Sequence, residues 1–285
     1  MKFNLHTHTR FSDGSSGPED YIKEAVHQGF DTLGFSDHSP VPFENNFAIR
    51  QEELGNYIQT ILNLKNDHAG SNALHDIKIL LALEVDFIPG ITLPIDHYRK
   101  NYPFDYFIGS VHLVKNEDSG KLWFIDGPDI TIYDNGLKGI FSGDIKKAVT
   151  TYYRQAQEMI LTQKPDIVGH LDKIKMYNRD RYFSEEESWY LRLVEETLDM
   201  AADAGCVIEV NTRGVYKKRS ATLFPGPEVL KKILLRNIPI TISSDAHKPH
   251  ELSLYFEEAR KELHSLGFTS NWLKTTGGWK EIPLY

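Results

Sequence analysis

The 285-residue sequence holds a single cysteine, Cys206. One thiol builds neither a disulfide framework nor a cysteine-based zinc knuckle, and it fits a reducing compartment. Cys206 starts an apolar run with no adjacent histidine, so it reads as a core residue and not as a nucleophile. No stretch approaches the roughly 20 apolar residues of a membrane-spanning helix. The opening MKFNLHTHTR also lacks the apolar core of a signal peptide. Positive charge is in deficit: 32 Lys and Arg face 40 Asp and Glu, a formal net charge of −8. That balance weighs against broad nucleic-acid binding while leaving room for a local basic pocket around a small anion. Repeats, low-complexity tracts and obvious linkers are missing as well. The expectation is one soluble, cytoplasmic domain over residues 1–285 with no membrane partner. The oligomeric state stays open.

What is present is ordinary globular composition, 40% hydrophobic and 25% charged, in a chain long enough to bury a sizeable core. Short apolar runs alternate with helical stretches. Strands are predicted at FNLH, TLGFSDH, IKILLALEVD, YFIGSVH, DIVGHLD, CVIEVNTRG and PITISSDAH. Between them the pattern predicts helices at GPEDYIKEAVHQG, Gln51 to Asp67, Asp144 to Gln163, Ser184 to Gly205, GPEVLKKILLRN and Pro249 to Leu266. Pro18 suits a helix start, Asp144 suits a cap, and Ser184 with Glu187 has capping-box spacing. Leu54, Ile58, Ile61 and Leu62, with Tyr57 beside them, form one apolar stripe. Such alternation predicts an α/β fold with parallel strands, either a barrel or a doubly wound sheet. Residues 115–143, rich in Gly, Asp and aromatics, read as an active-site loop or lid.

The predicted strands share one property at their carboxyl ends. They finish in His6 and His8, in Asp37-His38, in Glu84 with Asp86 nearby, in His112, in His170 with Asp172 beyond, in Asn211-Thr212-Arg213, and in Asp245 with His247. In parallel α/β folds those ends gather on one face, where ligands bind. Taken singly, each has an ordinary alternative: a surface loop for Asp37-His38, a satisfied core histidine for His112 or His170, a helix cap for SSDAH. Their joint placement selects a shared site. Imidazoles and carboxylates without thiolates suit divalent Zn, Mn or Fe. There are too many ligands for one catalytic zinc, so two or three ions are implied, bridged by a carboxylate and a water or hydroxide. Metal-assisted hydrolysis, above all of a phosphate ester, follows as the reaction class. His27, His68, His75, His97, His250 and His264 fall outside this pattern.

The ordered set HTHTRFSDG, GFSDHS, LEVD, GSVH, GHLD, EVNTRG and SSDAH resembles the PHP family (polymerase and histidinol phosphatase), and within it the monofunctional histidinol-phosphatases. The resemblance covers nearly the whole chain. It implies a distorted (β/α)7 barrel with a trinuclear metal site at the carboxyl ends of its strands. By motif, it implies that His6, His8, Glu84 and Asp245 hold a first metal. Glu84 would bridge to a second, completed by His112 and His170, and Asp13, His38 and His247 would hold a third. Many family members carry a histidine where this chain has Asp13 and an acidic residue where it has Asn4. Asp37 then reads as a carboxylate that orients a ligand.

A phosphate monoester needs cations around its nonbridging oxygens. Arg213 is the leading candidate, because a guanidinium binds two phosphate oxygens at once. Arg179 or Arg181 would supply a second arm. The alcohol's ammonium and imidazole would meet Asp126, Asp172 and aromatics of residues 115–143. The reaction the resemblance implies is hydrolysis of L-histidinol phosphate by a metal-bridging hydroxide, with Glu84, Asp245 and Arg213 carrying the chemistry. The alternative keeps the site but acts on a nucleotide or phosphotyrosine. A module holding metals only for structure is the third reading, and the full set of ligands weighs against it.

Overall fold

The computed structural model describes residues 1–68, 77–275 and 277–285; His75 lies outside them. Seven strands, Phe3–Asn4, Thr32–Phe35, Lys78–Asp86, Tyr106–Ser110, Ile167–Val168, Val207–Asn211 and Ile240–Ser243, form one sheet. They lie side by side in chain order and every pairing is parallel. A doubly wound sheet would reverse its strand order part-way, so the barrel is the correct alternative. The sheet curls until its ends meet: a parallel bridge joins Thr7 to Ala246. There the His8 N–H donates to the Ala246 carbonyl at 2.8 Å, and the Ala246 N–H donates to the His6 carbonyl at 3.2 Å. The result is a nearly closed, distorted (β/α)7 barrel whose first strand is only two residues long.

Period-two alternation distributes the third strand, KILLALEVD, around this barrel. Leu80 and Ala82 point inward to a cluster that includes Leu5, Tyr106, Ile108, Ile167 and Val207. Ile79, Leu81, Leu83 and Val85 point outward to the core beneath the helices. The next inward positions, Glu84 and Asp86, reach the carboxyl-end face while remaining buried.

The helices follow their sequence signals with instructive exceptions. Pro18–His27 starts on its proline, and Leu54–Asp67 buries Leu54, Tyr57, Ile58 and Ile61. Asp144 caps Ile145–Gln163 by accepting the Lys147 N–H at 2.9 Å. The start predicted at Ser184 lies too early, because the helix runs from Ser188. Glu187 accepts the Ser184 N–H at 3.0 Å, but the Ser184 hydroxyl accepts from Glu186 at 3.2 Å and closes a separate turn. The last helix likewise begins at Phe256, because Pro249–Glu251 forms an isolated 3₁₀ turn and Tyr255 is left-handed at φ 68°.

Residues 115–143 are more regular than expected. An antiparallel hairpin, Leu113–Lys115 with Leu122–Phe124, is followed by a helix, Ile130–Phe141, capped by Asp129. Trp123 is fully buried and its indole N–H donates to the Tyr133 carbonyl at 2.9 Å. Gly136 lies where a Cβ would overlap the indole, so the glycine lets helix and hairpin close on each other. A terminal hairpin, Ser270–Thr275 with Gly278–Pro283, has no counterpart in the sequence reading. Its Leu273 and Ile282 join the inward cluster. Among the described residues no helix is long and apolar enough to cross a membrane.

Tyr57 ties the outer core to the sheet, its buried hydroxyl lying 2.9 Å from the Phe35 carbonyl and 2.8 Å from that of Ala82. Tyr57→Phe removes that donor without opening a cavity. It is expected to lower the unfolding free energy by about 1–2 kcal/mol in chemical denaturation, with the circular dichroism spectrum unchanged.

Candidate metal centre

The first strand ends at Asn4, whose side-chain carbonyl accepts the His6 N–H at 3.0 Å. This turn sends both His6 and His8 into the barrel mouth, where both are fully buried. They face the same carboxylate. Glu84 Oε2 lies 3.2 Å from His6 Nε2, 3.4 Å from His8 Nε2 and 3.1 Å from His38 Nδ1. Its other oxygen, Oε1, lies 3.0 Å from His170 Nε2 and 3.5 Å from His112 Nε2, and accepts the Ser110 hydroxyl at 2.6 Å. One side chain thus meets five imidazoles from four strand ends.

The ligand-type atoms fall into overlapping groups whose members lie within 4.8 Å of one another. His6, His8 and Asp245 form one, and Glu84, His112 and His170 a second. Asp13, His38 and His247, together with His8, form a third. These groups overlap the sets the motifs implied, with Glu84 absent from the first and His8 added to the third, and a further one joins His38, Asp86 and His112. His6 Nε2, both ring nitrogens of His8, His38 Nδ1 and Asp245 Oδ1 are buried without a hydrogen-bond partner. Close approach without hydrogen-bond alignment fits atoms that share a cation and not one another. The donor set of imidazole and carboxylate also suits divalent zinc, manganese or iron.

The electrostatics agree. Burial pushes the Glu84 carboxyl up, but the imidazoles of His6, His112 and His38 outweigh it and hold the group well below the ordinary carboxylate range. Asp245 is likewise held low against its burial, by His6 and Arg213. Burial opposes charge on His112 too, yet Asp86, Asp126 and Glu84 push its pKa up to about 10. The constellation therefore draws positive charge to its centre.

Further carboxylates set the imidazoles. Glu209 lies 2.5 Å from His6 Nδ1 and also accepts the His170 backbone N–H at 2.7 Å. Asp86 lies 2.6 Å from His112 Nδ1. Such contacts choose the tautomer and leave Nε2 free toward the centre. The sequence reading assigned Glu209 nothing, although a charge inside the apolar run VIEV was the available signal. Asp37 acts through the chain: it accepts from the Thr9 N–H at 2.7 Å and the Ser12 hydroxyl at 2.6 Å, and so anchors the turn that carries Asp13.

A small cleft, partly open to solvent, lies over Glu84, Asp245 and His247. Arg213 lines it, and its guanidinium donates to the Asp245 carbonyl at 2.7 Å. That carbonyl is turned toward Arg213 by a left-handed backbone at Asp245, φ 51°, a conformation Asp adopts more readily than most residues. The other predicted arms lie elsewhere. Arg181 makes a two-pronged pair with Asp134 at 2.8 Å, and Arg179 donates to the Arg219 carbonyl at 3.2 Å on the exposed surface. Lys173 and Arg219 line the cleft instead. Asp172 is corrected as well: it is buried away from the cleft, 2.7 Å from Lys175 Nζ and accepting the Gly226 N–H at 2.9 Å.

A model of the PHP domain matches residues 4–213. The chain belongs to the PHP domain family. Over 278 residues this PHP protein is 27% identical to the histidinol-phosphatase of Bacillus subtilis, spanning 90% of the chain and 97% of the relative. Its fold is shared with a solved Listeria monocytogenes protein, at TM-score 0.76 and 18% identity over 90% of this chain and 99% of that one. It is shared too with the histidinol phosphate phosphatase of Lactococcus lactis, solved with zinc, L-histidinol and phosphate. There the TM-score is 0.70, with 20% identity and 98% of each chain covered.

Glu209→Gln keeps the shape of the His6 contact but removes its charge. It is expected to weaken metal binding about 10- to 100-fold, measured as metal retained during titration with a chelator.

Proposed function

We propose that this PHP protein hydrolyses the phosphomonoester L-histidinol phosphate to L-histidinol and phosphate, as a cytoplasmic enzyme of histidine biosynthesis. The observation that carries the reading is the convergence of three ligand groups on Glu84 beneath a cleft lined by Arg213, Arg219 and Lys173. Full-length likeness to histidinol-phosphatases supports the choice of substrate.

Two or three divalent ions, zinc, manganese or iron, are the proposed cofactors. His6, His8, Glu84 and Asp245 would hold one, Glu84 with His112 and His170 another, and Asp13, His38 and His247 a third. When bound, such ions supply a water-derived nucleophile at neutral pH and neutralise charge on the phosphoryl group. The chain's own cations do the rest. Arg213, Arg219 and Lys173 bind the nonbridging oxygens and hold the phosphorus in line for attack by water. The bond from phosphorus to the alcohol oxygen breaks as the bond to the incoming oxygen forms, with no covalent enzyme intermediate. Arg213 is held by the Asp245 carbonyl and by Glu251, 3.6 Å away, so its fork is oriented before substrate arrives. The small cleft and the net charge of −8 favour a small phosphate ester over a nucleic acid.

The test is a phosphate-release assay on metal-loaded protein with L-histidinol phosphate, phosphotyrosine and a nucleoside monophosphate. Histidinol phosphate is expected to exceed the others by about 100-fold or more in kcat/KM. Equal turnover across the panel would overturn the substrate while sparing the chemistry. Glu84→Gln is expected to abolish turnover and lower metal content together. Full activity in that variant would refute the bridging role.

A further inference from the structure

Asn211, at the end of the sixth barrel strand, belongs to none of the ligand groups. Its side chain is fully buried and lies between two carboxylates. Nδ2 donates to Glu209 Oε2 and to Asp245 Oδ2, each at 3.2 Å. Oδ1 turns the other way and accepts the Arg213 N–H at 2.9 Å. The backbone is pinned as well, the Asn211 N–H donating to the Phe224 carbonyl at 2.7 Å.

An amide suits this place where its neighbours in chemistry do not. Buried carboxylates side by side repel, so the group between them must bring donors and no charge of its own. Aspartate there would add a third negative charge. Leucine would leave Asp245 Oδ2 bare, because Nδ2 is its one hydrogen-bond donor among the described residues. Turning the amide over would set its oxygen against two carboxylates and its NH2 against the Arg213 N–H, so the orientation is fixed.

Two consequences follow. With Oδ2 held by Asn211, Asp245 presents Oδ1 to the first group, 3.3 Å from His8 Nε2 and 3.8 Å from His6 Nε2. The same amide fixes the start of the Arg213–Tyr216 turn, whose first residue lines the cleft. We infer that Asn211 is a positioning residue: one amide sets the Asp245 oxygen offered to a cation and the Arg213 guanidinium offered to a phosphoryl group at a constant separation. The inference deepens the proposed phosphatase reading and rests on it for the roles of Asp245 and Arg213.

The test uses the full-length protein and two probes, manganese and inorganic phosphate. Asn211→Leu, close in size, removes all three side-chain hydrogen bonds. It is expected to weaken metal retention against a chelator about 10-fold. After resaturation with manganese, its affinity for phosphate in titration calorimetry is expected to fall about 10-fold as well. Asn211→Ser keeps an acceptor for the Arg213 N–H but no amide for the carboxylates. It is expected to lose metal as Asn211→Leu does, yet to bind phosphate within about threefold of wild type. Arg213→Ala is the control. Adding Asn211→Leu to it is expected to change phosphate affinity by less than about twofold, because the arm through which Asn211 acts is gone.

Losses that multiply in the double variant would mark a general structural effect and overturn the inference. Wild-type phosphate affinity in Asn211→Leu would overturn it too, as would an Asn211→Ser protein that loses phosphate as fully as Asn211→Leu. Should Asn211→Leu fail to fold, Asn211→Ser decides: metal loss with phosphate binding kept upholds the inference, and unchanged metal retention overturns it. A wild-type protein that binds both probes but leaves L-histidinol phosphate intact would remove the substrate reading and leave these readouts in force.

Discussion

The structure is organised around one carboxylate placed where an isolated charge is least welcome. Glu84 stands near the end of an apolar strand, is 1% exposed, and carries negative charge into the barrel mouth. Desolvating such a group costs several kcal/mol unless positive charge meets it. Five imidazoles from four strand ends approach it, and the Ser110 hydroxyl fixes one of its oxygens. Most of the site's other features serve to make that placement tolerable or useful.

Around this centre the polar groups are arranged by reach. His6 and His112 are held through Nδ1 by Glu209 and Asp86 and present Nε2 inward. Asp37 works one step further out, through backbone, by bonding the Thr9 to Ser12 turn from which Asp13 projects. Arg213 is held through the carbonyl of Asp245, so this guanidinium and this carboxylate are tied together at one strand end. A disturbance at any of these positions reaches the clustered imidazoles and carboxylates within two or three hydrogen bonds.

Much of this was readable in the sequence, for a physical reason. A parallel barrel writes its strands as short apolar runs and collects the residues after them on one face, so His6, His8, His38, Glu84, His112, His170, Asp245 and His247 announce themselves by position. What escaped depends on side-chain direction and competition. Arg179 and Arg181 stand near a strand end, as Lys173 does, but Asp134 takes the guanidinium of Arg181 and the surface takes Arg179. Glu209 hid because full burial of its strand erases the alternation that separates inward from outward residues. The helix over Ile130–Phe141 hid because its glycines read as loop, when Gly136 makes room for an indole. The terminal hairpin hid because it contributes little more than Leu273 and Ile282 to an interior built by other strands.

The seam between the first and last strands carries a final implication. It consists of one bridge, Thr7 to Ala246, flanked on one side by His6 and His8 and on the other by Asp245 and His247. The backbone of His6 and His8, whose side chains belong to the clustered groups, thus forms part of the latch with Ala246. Ions held by those groups would couple to barrel closure, and stripping them should unfasten the wall at that latch before the remaining strands feel the loss.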